Sequence, residues 1–202
     1  MEDVTHDAQN RLLFRLPYAY LAHTQLPRIM AEHGATVAYH PFRIIELMKI
    51  VGNRPTTIEC GNKSKYAGAD LQRWTKRYAV DFARNPNSKS FDFAELDRGA
   101  LVAIEDGRGA EYVTAVFAAI WGRPEDLSQR SVLIDVLNRA GLDAHGLLER
   151  ASADTMIAKL ESETGAAAER GVFGAPTMFV GDQMYFGNDR LDFVLEARCS
   201  AT

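Results

Sequence analysis

Segments patterned as β-strands occur only near the two ends of this 202-residue chain, which restricts the folds open to it. Near the N-terminus, residues 12–16 form a short apolar run, and residues 36–40 are rich in strand-forming types and end at Pro41. Near the C-terminus, residues 177–180 and 183–186 flank Gly181-Asp182, a two-residue loop typical of a type II′ hairpin. The periodic segments in between have helical spacing. One small sheet must therefore be assembled from both ends of the chain.

Helices fill the rest of the chain. One is predicted over residues 18–33, after Pro17 and before Gly34, with Pro27 as the source of a kink, so that a βαβ unit with parallel strands forms at the N-terminus. Others are predicted over residues 70–78, 111–121, 126–140, 152–170 and 190–198, the last with Asn188 or Asp189 as its cap. We predict an α/β fold in which residues 11–43 and 171–202 form one domain and residues 44–170 form a helical insertion.

Charge and hydropathy argue against several classes of function. Acidic residues outnumber basic ones by 27 to 23, the net charge is −4 and no basic run occurs, which argues against nucleic-acid binding. The longest apolar runs, such as residues 115–121, are too short to cross a bilayer. Residues 1–10 are polar and acidic, unlike a secretory signal or a lipid anchor. We expect a cytoplasmic protein with no membrane partner.

Cysteine and histidine spacing argues against redox and metal centres. Cys60 and Cys199 are far apart and form no C-x-x-C pair, which excludes a dithiol redox centre and leaves only the less favoured Cys60–Cys199 bridge. The five histidines show no metal-ligand spacing, so no metal is expected.

A glycine-rich turn over residues 171–175 precedes Pro176, directly before a predicted strand. This position suits a cis Ala175-Pro176 bond, although a plain turn proline is the alternative, since only about 5–6% of X-Pro bonds are cis. A cis bond would leave the backbone of Ala175 as an unpaired edge. Such an edge can bind an extended, peptide-like ligand by strand addition.

The same region carries a resemblance to a known family. Residues 171–190, GVFGAPTMFVGDQMYFGNDR, resemble the C-terminal signature of the thioredoxin-like branch that contains 2-hydroxychromene-2-carboxylate isomerases and kappa-class glutathione transferases, and that is related to DsbA-type oxidoreductases. Residues 17–22, PYAYLA, are similar to the S-P-[YF]-[SA]-Y-L-A start of that family's first helix. Gly52-Asn53, Tyr66 and residues 70–74 resemble the helical insertion of the isomerases, and the resemblance extends over residues 12–197.

The resemblance implies a DsbA-type thioredoxin fold and a glutathione-dependent isomerase. The family interconverts 2-hydroxychromene-2-carboxylate and trans-o-hydroxybenzylidenepyruvate in naphthalene-type aromatic catabolism. The glutathione thiolate adds to the conjugated enone, the former double bond rotates as a single bond, and the thiolate leaves. Because the thiol is borrowed from the cofactor, the protein needs no cysteine of its own.

The resemblance also implies where glutathione binds. The start of the first helix, at Pro17-Tyr18, offers unpaired N–H groups and a positive dipole end that favour a thiolate. The peptide backbone of glutathione would lie along Ala175-Pro176. Its γ-glutamyl end would meet a second helix start, formed by Phe186, Gly187, Asn188 and Asp189. For Asn188 and Asp189, simple capping is the alternative to binding.

An aromatic carboxylate substrate needs partners for its carboxylate and its phenol oxygen. The candidates are polar residues of the insertion, namely Asn53, Lys63, Tyr66, Asn87 and Lys89, with Lys65 and Asn85 beside them and Arg43 and Lys49 less favoured. The aromatic residues Trp74, Trp121 and Phe91 could stack on the substrate, but core packing is the favoured role for them.

One departure from the family concerns the thiol itself. The family has a serine before the proline of the first helix, where its hydroxyl donates to the glutathione sulfur, and this chain has Leu16 there. Two rivals to the isomerase therefore stay open: a kappa-type transferase that uses the same thiol site, and a non-catalytic thioredoxin-like binding protein. A homodimer is compatible with the sequence.

Overall fold

The computed structural model of the chain describes residues 8–12, as backbone, and 14–200. In this part of the chain, four strands form one sheet in the order β2-β1-β3-β4, with β1 parallel to β2 and antiparallel to β3, and β3 antiparallel to β4. The strands are β1 Ala8–Leu12, β2 Val37–Pro41, β3 Thr177–Val180 and β4 Gln183–Phe186. Both ends of the chain thus contribute to a single sheet, as predicted.

The helices of the described residues lie mostly between β2 and β3. The first helix, α1 Pro17–Ala31, connects β1 to β2, and the last, α10 Leu191–Ser200, follows the hairpin after a short 3₁₀ turn, Asn188–Arg190. Between them come α2 Ile44–Ile50, α3 Thr56–Glu59, α4 Gly61–Tyr78, α5 Phe93–Glu105, α6 Gly109–Phe117, α7 Arg130–Arg139, α8 Ala144–Ala151 and α9 Asp154–Glu169. This order confirms the α/β class with a large helical insertion, while the exact division into domains stays a prediction.

Several predicted elements have different bounds in the structure. The helix expected over residues 126–140 begins only at Arg130, and the one expected over residues 111–121 ends in a π-helical turn, Ala118–Gly122. The hairpin is confirmed, since Gly181 has φ +57° and Asp182 is not left-handed, as a type II′ turn requires. No helix in the part of the chain that the structure describes is long and apolar enough to cross a membrane.

The strand predicted over residues 12–16 is wrong in position. The strand is Ala8–Leu12, and Phe14-Arg15 lie in a turn; Leu13 lies outside the described residues. The polar sequence AQNRL becomes a strand because it lies between two partners, with Asn10 opposite both Tyr39 and Met178. The apolar Phe14, which suggested a strand, is instead fully buried and makes an edge contact with Phe117 at a centroid distance of 5.1 Å.

His23 on α1 is a buried histidine in the core beside this aromatic contact. Its Nε2 lies 3.1 Å from Thr114 Oγ1 and its Nδ1 lies 3.2 Å from the Tyr39 hydroxyl. The Thr114 hydroxyl donates to the carbonyl of Ala110, so it accepts from Nε2–H, and Nδ1 accepts from Tyr39. Protonation of Nδ1 would break the Tyr39 bond, and burial lowers the pKa of His23 from 6.5 to about 4.

This histidine predicts a pH-dependent loss of stability. Between pH 6.5 and 4 the unfolded chain takes up a proton at residue 23 that the folded chain does not, so the free energy of unfolding should fall by about 3 kcal/mol as the pH drops through this window. Denaturant unfolding at several pH values measures the slope. His23→Gln should flatten it, and the exposed His145→Gln should leave it unchanged; an equal slope in the His23 variant would contradict the assignment.

Candidate active site

The start of α1 presents one N–H group to an anion. Leu16 is the N-cap residue, and its carbonyl accepts from the N–H groups of Ala19 and Tyr20 at 3.1 and 3.3 Å, while its side chain makes no capping bond. Pro17 has no N–H. The N–H of Tyr18 is therefore the group at this terminus that has no acceptor among the described residues. It lies at the positive end of a 15-residue helix, which favours a negatively charged ligand such as a thiolate.

The loop before β3 lies against this helix start. The Ala175-Pro176 bond is cis, as predicted. Ala175 is 7% exposed and belongs to a buried apolar cluster with Phe42 and Ile44, against which Leu16 also packs. The peptide N–H and C=O of Ala175 make no hydrogen bond with the other described residues, and this leaves them available to an extended ligand. The cavities described below are lined by other residues, so strand addition at Ala175 stays a prediction.

The segment after β4 is tied to the same loop. The N–H of Gly187 donates to the carbonyl of Pro176 at 2.9 Å, and Gly187 itself has φ +102°. Phe186 is partly exposed and contacts Phe173, with a centroid distance of 4.6 Å. Residues 175–176 and 186–187, which are separated in the sequence, are thus neighbours in the structure.

The capping role considered for Asn188 and Asp189 is wrong. The 3₁₀ turn begins after Gly187 and has no side-chain capping bond. Asn188 is buried in the core. Its backbone carbonyl accepts from the Tyr78 hydroxyl at 2.8 Å, and its side-chain Nδ2 has no partner among the described residues. Asp189 is exposed and pairs with the neighbouring Arg190.

Two of the predicted substrate residues line a groove beside the start of α1. Lys63 and Tyr66 of α4 line a cavity of about 460 Å³ together with Tyr18. The Tyr18 hydroxyl lies 3.1 Å from Asp70 Oδ2 and 3.2 Å from the carbonyl of Ala67. Burial and the Asp70 carboxylate raise the pKa of Tyr18, so its phenol stays protonated at neutral pH. The Tyr66 hydroxyl also lies 3.4 Å from Asp70 Oδ1, so both phenols of the groove are engaged by this carboxylate and Lys63 is its ammonium group.

The other substrate candidates are distributed unevenly. Asn53 donates to the carbonyl of Phe173 at 2.7 Å, which places it beside the loop before β3. Asn87 and Lys89 are exposed around a short 3₁₀ segment, and neither lines the cavities described here. The remaining candidates have structural or surface positions: Asn85 and Trp121 bond backbone carbonyls inside the protein, and Lys49 and Lys65 are exposed.

A second cavity, of about 290 Å³, includes Arg15, which directly precedes the N-cap residue of α1, in its lining. Arg15, Arg43 and Asp97 line it, and sequence reasoning missed Arg15 and Asp97 and ranked Arg43 low. A signal for Asp97 was present in α5. Positions 93, 96, 97, 100 and 101 have the spacing of a helical apolar stripe, and four of them are Phe, Leu, Ala and Leu. A carboxylate at a core position of such a stripe is unusual and marks a functional candidate.

Comparison with known proteins assigns the class. A family model described as the DSBA-like thioredoxin domain matches residues 14–197, so the chain belongs to that family of thioredoxin-fold proteins. A curated 2-hydroxychromene-2-carboxylate isomerase of Sphingobium xenophagum is 35% identical over 182 residues, covering 90% of this chain and 92% of the relative. Glutathione S-transferase kappa 1 of Rattus norvegicus is 25% identical over 194 residues, covering 88% of this chain and 84% of the relative.

A solved structure agrees with this assignment. The selenomethionine structure of a 2-hydroxychromene-2-carboxylate isomerase superposes with a TM-score of 0.85 at 30% identity, covering 96% of this chain and 94% of that one. The chain therefore belongs to the 2-hydroxychromene-2-carboxylate isomerase family, as the motifs in its sequence implied.

Proposed function

We propose that this protein is a glutathione-dependent isomerase that interconverts 2-hydroxychromene-2-carboxylate and trans-o-hydroxybenzylidenepyruvate. The observation that carries the proposal is the 35% identity to an isomerase of that name over nine tenths of both chains. The start of α1 supports it, because a helix terminus with an unpaired N–H suits a reaction whose nucleophile is a thiolate. The naphthalene-type catabolic setting belongs to the same proposal.

The chemistry needs no cysteine of the protein. Opening of the hemiketal ring first breaks the carbon–oxygen bond to the phenol oxygen, which takes up a proton as the 2-hydroxyl loses one, and this leaves a 2-keto enone. The glutathione thiolate then forms a carbon–sulfur bond to the enone, and the electron pair of the double bond moves into the enolate. The carbon–carbon bond then rotates, the enolate re-forms the double bond, and the carbon–sulfur bond breaks to return the thiolate. The task of the chain is to keep the thiol ionised and to hold both reactants in place. Cys60 and Cys199, which are free and exposed, take no part.

Glutathione would lie along the loop before β3. Its peptide groups would bond the N–H and C=O of Ala175 by strand addition beside Pro176, and its γ-glutamyl end would reach the segment from Phe186 to Asp189. The relation to a kappa-class glutathione transferase supports glutathione as the thiol source. The hydrogen bond between Gly187 and Pro176 holds the two halves of this site together.

Asp189 provides a test of the glutathione site. Its exposed carboxylate is proposed to pair with the γ-glutamyl ammonium, so Asp189→Ala should weaken glutathione binding by about 1–3 kcal/mol. Asp182→Ala is the matched control, because it removes the same charge at the far end of strand β4. Titration calorimetry measures both affinities. Equal affinities for the Asp189 variant and the natural protein would remove Asp189 from the site.

Substrate assays separate the isomerase from its two rivals. Incubation with 2-hydroxychromene-2-carboxylate and glutathione should produce the absorbance of the conjugated benzylidenepyruvate. A kappa-type transferase would instead consume glutathione and form a thioether with an aryl halide, and the relation to such a transferase makes this the second candidate. A non-catalytic protein would bind glutathione and do neither. The isomerase proposal requires that turnover leaves the glutathione concentration unchanged.

A further inference from the structure

We propose that the cavity lined by Arg15, Arg43 and Asp97 binds the acid end of an aromatic 2-hydroxy carboxylate, with the arginines on the carboxylate and Asp97 on the adjacent hydroxyl. The inference rests on the proposed function, because it names the substrate class of the same site. It assigns substrate recognition to Arg15 and Asp97, which were not among the candidates from the sequence, and to Arg43, which was a less favoured one.

Asp97 is a buried carboxyl on the wall of this cavity. It is 2% exposed, and its Oδ1 has no hydrogen-bond partner among the residues that the structure describes. Burial raises the pKa of its carboxyl, and nearby Arg43 opposes that effect without forming a bond to it. A buried carboxyl with an unmet hydrogen bond destabilises a fold, so its presence on the cavity wall indicates a ligand that supplies the missing partner. A hydroxyl suits either protonation state, since it can both donate and accept.

Arg15 and Arg43 add two guanidinium groups to the lining of the same cavity. Arg43 pairs with Glu46 through Nη2 at 2.8 Å, its side chain is 38% exposed, and it lines the cavity, so its guanidinium has further N–H groups for a ligand. The guanidinium of Arg15 stacks over the ring of Phe93 at 5.0 Å and bonds no carboxylate among the described residues. Guanidinium groups recognise carboxylates with two parallel hydrogen bonds. The lining also includes Glu46, which Arg43 pairs with, and Asp92. The two guanidinium groups therefore provide the carboxylate position beside Asp97.

The size and the aromatic lining of the cavity suit an aromatic acid. Its volume of about 290 Å³ suits a one- or two-ring acid, and Phe91 and Phe93 supply an aromatic wall. Arg15 directly precedes Leu16, the N-cap of α1, so one residue of the cavity wall is the chain neighbour of the proposed thiolate position. A substrate held by its acid end at Arg15 and Arg43 would open its hemiketal ring there, and the resulting enone would be held for attack by that thiolate. In 2-hydroxychromene-2-carboxylate, the hydroxyl and the carboxylate are on one carbon, as the cavity requires.

Small probes test the cavity without turnover. Mandelate carries an aromatic ring with adjacent hydroxyl and carboxylate, and phenylacetate lacks only the hydroxyl. NMR titration should show mandelate binding about tenfold more tightly than phenylacetate. Arg15→Gln and Arg43→Gln should each weaken both probes about tenfold. Arg28→Gln is the matched control, because Arg28 also pairs with a glutamate on its own helix at 2.8 Å, and it should change neither affinity.

The Asp97 variants separate recognition from a structural role. Asp97→Ala should abolish the preference for mandelate and raise the melting temperature by about 2–6 °C, because an unpartnered buried carboxyl is removed. Asp97→Asn should retain part of the preference, since its amide can still bond the hydroxyl. An Asp97→Ala variant that loses stability and keeps the preference would overturn the inference, as would arginine variants with natural affinity. Failure of isomerisation with this binding pattern intact would overturn only the proposed function.

Discussion

Replacing Gly99 by alanine is expected to destabilise the fold by about 3 kcal/mol. A Cβ at this position of α5 would lie 2.2 Å from the hydroxyl oxygen of Tyr112 and 2.8 Å from its ring. The Tyr112 ring has no room to move, because it is fully buried, donates to the carbonyl of Leu96 at 2.9 Å and packs edgewise on Phe14. The methyl group must therefore break this hydrogen bond or separate α5 from α6.

A second glycine provides the matched control. Gly165 lies within α9, and no atom lies within 4 Å of the Cβ that alanine would add there. Gly165→Ala should therefore stabilise the protein by about 0.5–1 kcal/mol through helix propensity alone. Urea unfolding of both variants measures the difference. A Gly99→Ala protein as stable as the natural one would show that α5 and α6 are not packed as described.

Replacing Leu16 by serine is expected to lower the pKa of bound glutathione by about 1–2 units and to raise the isomerisation rate. The structure places Leu16 at the N-cap of α1 without a capping bond, where serine is favoured by about 1 kcal/mol. A serine hydroxyl there could also donate to the sulfur. Leu16 packs against both the main apolar cluster and the one that contains Ala175, so the lost packing should offset the gained cap and leave stability nearly unchanged.

The thiolate absorbance of the complex gives this pKa in a pH titration. Leu16→Ala removes the same apolar contacts without adding a hydroxyl, so it controls for the lost packing. A shift in the serine variant alone would place residue 16 beside the sulfur. An unchanged pKa together with full natural activity would assign the thiolate to the N–H of Tyr18 and the dipole of α1.

The sequence was informative where a local pattern decides the structure. The hairpin follows from Gly181, and the start of α1 follows from Pro17. The position of β1 could not be predicted in this way, because the polar residues from Ala8 to Leu12 become a strand only through pairing with β2 and β3. Their conformation is set by partners that lie far away in the chain.

The binding residues show the same limit. The cis Ala175-Pro176 bond and the position of Leu16 at the start of α1 could be predicted, because each lies within a continuous motif, while their binding roles stay proposals. The cavity wall of Arg15, Arg43 and Asp97 could not, since its members come from the turn after β1, the cap of α2 and the interior of α5. Only the tertiary fold brings their charges together, although a carboxylate within the apolar stripe of α5 was a visible signal.

Glutathione and its S-methyl derivative together test whether the bound thiolate is the nucleophile of the isomerisation. The natural protein is incubated with 2-hydroxychromene-2-carboxylate and either glutathione or S-methylglutathione, which has the same peptide groups and no ionisable thiol. If the bound thiolate is the nucleophile, the absorbance of trans-o-hydroxybenzylidenepyruvate should rise with glutathione and stay at the uncatalysed rate with the methylated form. Equal rates with glutathione and with S-methylglutathione, or an equal rate when neither compound is present, would show that the glutathione thiolate is not the nucleophile.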